Sequence, residues 1–277
     1  MRFLPDWLVY AIAIGAIVFA LFSLDRREMA PPAAPDAPAA GQALPPPSVY
    51  DPELLVNVGP AESGMGTAFA ISSDGWWLTA RHVVDSCRHV GVIVSRGMAV
   101  NAEVRVARFA DLALLRTKYR PEALALNVDE NALRLGQRAY HVGFPQGRTG
   151  EATSLLIGRE RLISRGRYAL DEPILAWAEV GRTEGLRGTL SGISGGPALD
   201  SAGRVIGVTI AESTRRGRIY TAAPSTIARL LDVEEVEADG GRADQLTSLN
   251  YGTKADEMRR DLTVAQIVCV ADPGAAS

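Results

Sequence analysis

The chain has 277 residues, 29 Lys and Arg against 32 Asp and Glu, a net charge of −3, and 47% apolar against 22% charged residues. That balance excludes the basic footprint of a nucleic-acid partner and leaves enough apolar residues for one ordinary core or two small packed halves. The two cysteines, Cys87 and Cys269, have no CxxC spacing, which excludes the common zinc and redox motifs. A single bridge between them in an oxidising compartment and two unpaired buried thiols fit the sequence equally.

Residues 7–24, WLVYAIAIGAIVFALFSL, form an unbroken uncharged run. As a helix it is about 27 Å long, close to the hydrocarbon thickness of a bilayer. A cleaved signal peptide is the competing reading, but no A-x-A-like site follows directly, so the run reads as a transmembrane anchor. The flanking arginines, Arg2 against Arg26 and Arg27, are too few to set its orientation. Residues 25–49 are rich in Pro and Ala and lack apolar periodicity, which predicts an extended spacer holding a domain off the membrane.

From 50 to 232 the pattern changes to short apolar runs separated by turn residues. WWLTA follows the turn pair Asp74-Gly75, and HVGVIVS, AEVRVARF, LALLRT, RAYHVGF, ATSLLIG, AWAEVG, RVIGVTIA and RIYTAA follow in order. Many short strands at such spacing predict an all-β sandwich or barrel set. A crossover between two halves is expected near 117–133. The acidic run DVEEVEADGG ends the pattern, and residues 233–277 form a tail, with a helical stretch KADEMRRDL and a strand TVAQIVCV, expected to pack back on the β core.

The chemistry concentrates in GTLSGISGGPALD, residues 188–200. Ser194 stands between Gly192 and the pair Gly195-Gly196, as a serine nucleophile on a tight turn requires. The amides of Gly192 and Ser194 would converge on the oxygen that becomes negative during acyl transfer, forming an oxyanion hole. Upstream, His82 lies in TARHVV and Asp111 in DLALLR, so His, Asp and Ser occur in one of the orders used by convergent catalytic triads. His82 is suited to take the serine proton, titrating near neutrality, and Asp111 to fix its tautomer. Of the other histidines, His141 lies in a strand-like run and reads as structural.

These residues resemble the trypsin-like serine proteases, and among them the bacterial HtrA (Deg) branch. The resemblance runs from about 62 to 226 and rests on GTAF at 66–69, TARHVV at 79–84, DLALL at 111–115, GFPQG at 143–147, GISGGP at 192–197 and the GRVIGV that follows. It implies two antiparallel β-barrels with the site in the cleft between them, His82 and Asp111 from the first and Ser194 from the second. It implies a serine endopeptidase acting on polypeptides without metal or organic cofactor, and with the run at 7–24 the expectation is a membrane-anchored one whose domain faces the periplasm. The alternative is a catalytically silent protein of the same fold that binds polypeptides as a chaperone or scaffold.

Substrate contacts are expected from Thr189 and Leu190 and from Val208, Thr209, Ile210 and Ala211. The latter lie in a segment that looks like the family's edge strand, which pairs with an extended peptide. Two departures matter. Ile193 replaces the acidic residue of proteases activated by cleavage, so a salt-bridge zymogen switch is unsupported, and no PDZ domain is expected to follow. The absence of an acid from 188–191 predicts small or medium apolar P1 residues. Oligomeric state is not legible.

Overall fold

The computed structural model describes residues 41–271. The expected anchor at 7–24 and most of the spacer lie outside the described residues, and no helix within them is long and apolar enough to cross a membrane.

Where the resemblance implies two antiparallel barrels, the described residues form two seven-stranded sheets with one parallel pair and short helices. The first sheet contains β2 (Gly64–Ser72), β3 (Trp76–Ala80), β4 (Cys87–Ser95), β5 (Met98–Asn101), β6 (Glu103–Val106) and β7 (Leu112–Arg116). Its seventh member is β14 (Val264–Ala271), the last of the described residues, inserted between β4 and β2 in the spatial order β5-β4-β14-β2-β3-β7-β6. The second sheet contains β1 (Glu53–Val58), β8 (Arg138–Gly143), β9 (Gly150–Gly166), β10 (Leu170–Arg182), β11 (Pro197–Leu199), β12 (Val205–Ser213) and β13 (Arg218–Ala222). β8 pairs with β9 as well as with β11, so six of these strands make a closed ring of pairings, and β1 lies outside it, parallel to β9.

The turn signals act as their chemistry requires. Gly75 adopts φ +89° and its amide returns to Ser72 O at 3.1 Å, closing the β2–β3 hairpin. Each sheet is centred on a fully buried tryptophan: Trp77 in the first and Trp177 in the second. Their indole N–H groups donate to Thr117 and Thr221, each at 3.0 Å, so neither leaves a polar atom stranded in apolar surroundings. A third cluster, including Phe69, Leu112, Tyr140 and Tyr220, draws on both sheets and fixes them against each other.

The tail is structural. After the helix Pro224–Val233 and an irregular passage, the helix Tyr251–Arg260 buries Ala255, Met258 and Arg259. Arg259 forms a buried ion pair with Glu151 on β9 and donates to Gly143 O at 3.3 Å, and β14 then enters the first sheet. Cys87 at the start of β4 and Cys269 on β14 are joined by a disulfide.

Candidate active site

The local geometry of GISGG follows from its glycines. Ile193 N–H donates to Leu190 O at 2.9 Å, and Gly192, third residue of that turn, has φ +97°. This is the type II pattern, which demands glycine there. A Cβ on Gly192 would also come within 2.5 Å of Phe144 O. Thr67 clamps the turn, its hydroxyl donating to Gly192 O at 2.8 Å and its amide donating to Ser194 O at 2.9 Å. Gly195 and Gly196 amides are used internally, on Thr209 O and Ile193 O. The amides of Gly192 and Ser194 donate to no protein group among the described residues, and these are the two assigned above to an oxyanion hole.

His82 sits in the short helix Arg81–Val84 that follows β3, and Asp111 stands directly before β7. Because β3 and β7 pair with Ala80 opposite Leu112, the two residues leave adjacent strand ends together. Asp111 Oδ2 is 2.7 Å from His82 Nδ1, and Oδ1 accepts the His82 amide at 2.8 Å, so the carboxylate straddles the histidine. With Nδ1–H donating, Nε2 is left as the lone-pair nitrogen. Burial works against protonation of His82 and is its largest single influence, but the Asp111 charge and hydrogen bond together outweigh it and the opposing Arg167. The imidazole is therefore held above its ordinary 6.5.

The Ser194 hydroxyl makes no hydrogen bond to His82 among the described residues. Its backbone is nonetheless near: a side chain placed on Gly66 would meet both Val83, next to His82, and Ser194 O. Rotation about one serine torsion changes the reach of Oγ, and such bonds often tighten only when substrate binds.

Three residues not singled out from sequence surround the pair. Tyr168, in the β9–β10 turn, donates its hydroxyl to Asp111 Oδ1 at 3.0 Å, and Arg81 lies 3.9 Å over its ring. Glu172 on β10, only 1% exposed, accepts the Asp111 amide at 2.6 Å. Arg167 donates to His82 O at 3.3 Å. The sequence offers no signal for them, since they lie in the charge-rich passage between two predicted strands. A cavity of about 330 Å³ beside the pair is lined by His82, Asp111, Arg167, Tyr168, Ile210 and Ala211, and Ser194 lies outside its lining.

Of the expected substrate contacts, Ile210 and Ala211 thus face the cavity. Val208 and Thr209 do not: Val208 is fully buried between Pro197 and Ala222, and Thr209 uses both backbone groups on Gly195 and Gly196. Their side chains belong to the core because β12 is an interior strand at that point. Thr189 is exposed, whereas Leu190 is buried in the second sheet's core. The stretch 188–191 also receives an acid after all. Glu212 on β12 accepts the Leu190 amide at 2.7 Å and the Thr189 hydroxyl, a contact invisible to any local reading of that stretch. His141 is fully buried between Thr209 and Ser154 hydroxyls, and burial holds it down to about 3, neutral and structural.

Residues 66–208 match the trypsin-like peptidase domain, and the chain belongs to that family. Among its relatives, a protein of Bartonella henselae named as a probable periplasmic serine endoprotease, DegP-like, is 32% identical over 62% of this chain and 33% of its own. The protein of the same name from Brucella suis is 34% identical over 59% of this chain and 31% of its own. The chain therefore spans about a third of the length of these curated relatives. A crystal structure of the Rv3671c protein from M. tuberculosis, in an inactive mutant form, has the same fold at 20% identity, with a TM-score of 0.50 over 63% of this chain and 84% of that one.

Proposed function

We propose that this protein is a serine endopeptidase that cleaves polypeptides through Ser194, His82 and Asp111. The observation that carries the reading is Asp111 straddling His82 through both carboxylate oxygens, with the amides of Gly192 and Ser194 left free beside the candidate nucleophile.

In the reaction Ser194 Oγ attacks the peptide carbonyl carbon while His82 Nε2 takes the hydroxyl proton. The carbonyl π bond opens onto oxygen, and the two amides stabilise the resulting anion. Asp111 stabilises the imidazolium, which then passes its proton to the leaving amine as the C–N bond breaks. Water repeats the sequence on the acyl-enzyme and frees Ser194. The two-barrel architecture belongs to this reading and is supported by the closed ring of pairings in the second sheet.

The relatives' names support a periplasmic setting, and the disulfide fits an oxidising compartment. With the apolar run at 7–24 as its anchor, the domain would act on polypeptides at the outer face of the inner membrane. A fluorophosphonate probe tests the nucleophile on the full chain. Labelling and casein hydrolysis that both vanish in Ser194→Ala are the expected result. Folded wild-type protein that takes no label, or label that persists in the variant, overturns the proposal and leaves a polypeptide-binding role in its place.

A further inference from the structure

Asp111 is held from more sides than orientation of His82 alone requires. Its carboxylate accepts from the His82 amide, His82 Nδ1 and the Tyr168 hydroxyl, its carbonyl accepts the Arg81 amide at 3.1 Å, and its own amide is taken by Glu172. The partners fall into two sets. His82 and Arg81 come from the first sheet's β3–β4 connection, while Tyr168 and Glu172 come from the β9–β10 hairpin of the second. We propose that Tyr168 and Glu172 are positioning residues through which the second sheet seats Asp111 against His82. The inference rests on the peptidase reading above.

The chemistry of each group suits that task. A carboxylate oxygen has two lone pairs in its plane, and Asp111 Oδ1 spends one on the His82 amide and one on the phenol. Removing the phenol frees the carboxylate to rotate about χ2, which carries Oδ2 off Nδ1. Burial first, then the Asp111 charge and hydrogen bond, keep the phenol protonated, so it remains a donor through any working pH. Its ring is fixed by Arg81, whose guanidinium also donates to Ala107 O at 3.0 Å and pairs with Asp85.

Glu172 acts on the main chain. It faces Asp111 with Leu162 as its partner on β9, and its second carboxylate oxygen is buried without a partner. An ionised carboxylate would be expensive there. Burial and then the neighbouring Asp111 charge raise Glu172 to about 8, so near neutrality it is a carboxylic acid that accepts the Asp111 amide without repelling its carboxylate.

The test uses the full chain with Tyr168→Phe, Glu172→Ala and Glu172→Gln, read by steady-state hydrolysis and by the proton NMR resonance of His82 Nδ1–H. Tyr168→Phe is expected to lower kcat roughly tenfold with KM unchanged and to move the Nδ1–H resonance upfield as its bond to Asp111 lengthens. Glu172→Ala is expected to do the same, and Glu172→Gln, which keeps the acceptor oxygen and cannot ionise, to restore most of the loss. An unchanged kcat and an unchanged resonance in Tyr168→Phe, or a Gln variant no better than Ala, overturns the inference. Absence of hydrolysis in the wild type overturns the peptidase reading instead, and the resonance still decides whether Tyr168 and Glu172 seat Asp111.

Discussion

At the scale of single residues, the site depends on where a proton rests and on one backbone turn. In the proposed reaction His82 must be neutral to accept the Ser194 proton, and Asp111 holds its imidazole above 6.5 despite burial. The sign follows directly: kcat/KM is expected to rise as pH increases through the raised value, and a pH–rate profile with its acidic limb at or below 6.5 would contradict the assignment. Gly192 has no room for a side chain. A methyl group there faces both the positive φ and Phe144 O at 2.5 Å, so Gly192→Ala must turn the peptide and withdraw an oxyanion donor. Its kcat is expected to fall by about 10²-fold and its melting temperature to fall as well, since the clash is with a backbone oxygen, measured by turnover beside a melting curve.

At the scale of elements, the β9–β10 hairpin and β14 carry the unexpected parts of the design. The hairpin reaches from Gly150 to Arg182, far beyond the two apolar runs that announce it, because its middle interrupts them with charged residues such as Arg159, Glu160, Arg161, Asp171 and Glu172. There Arg161 pairs with Asp171 and Glu53, and Arg218 with the buried Glu160, while Leu162 packs into the core. That extension is what brings Tyr168 and Glu172 to Asp111. β14 completes the first sheet with a strand some 180 residues distant from its neighbour β4, and the Cys87–Cys269 bond closes that loop. Reduction, or Cys87→Ser with Cys269→Ser, is expected to cost about 2–5 kcal/mol in chemical denaturation. An unchanged midpoint would show that the sheet holds without the bond.

At the scale of the whole molecule, the two sheets meet through a buried acidic contact whose cost depends on pH. Glu172 is protonated in the fold up to about 8 but ionises near 4.5 once the chain unfolds. Between those values the unfolded state binds fewer protons, so this group's contribution to stability falls as pH rises through the window and levels off above it. Glu172→Gln is expected to flatten that slope, measured as the denaturation midpoint at pH 5, 7 and 9. Parallel pH dependences for variant and wild type would place the titration elsewhere.

The sequence alone determined what depends on local spacing. The strands follow from short apolar runs set between turn residues, the Asp74-Gly75 hairpin and the GISGG turn from the conformations only glycine takes freely, and the proposal of His82, Asp111 and Ser194 from motifs in a shared order. It could not determine contacts between stretches distant along the chain. That Glu212 reaches Leu190, that Val208 and Thr209 are interior, and that Tyr168 and Glu172 meet Asp111 depend on which strands become neighbours. Neighbourhood is set by burial of the shared core, a property of the folded whole that no short stretch of residues carries.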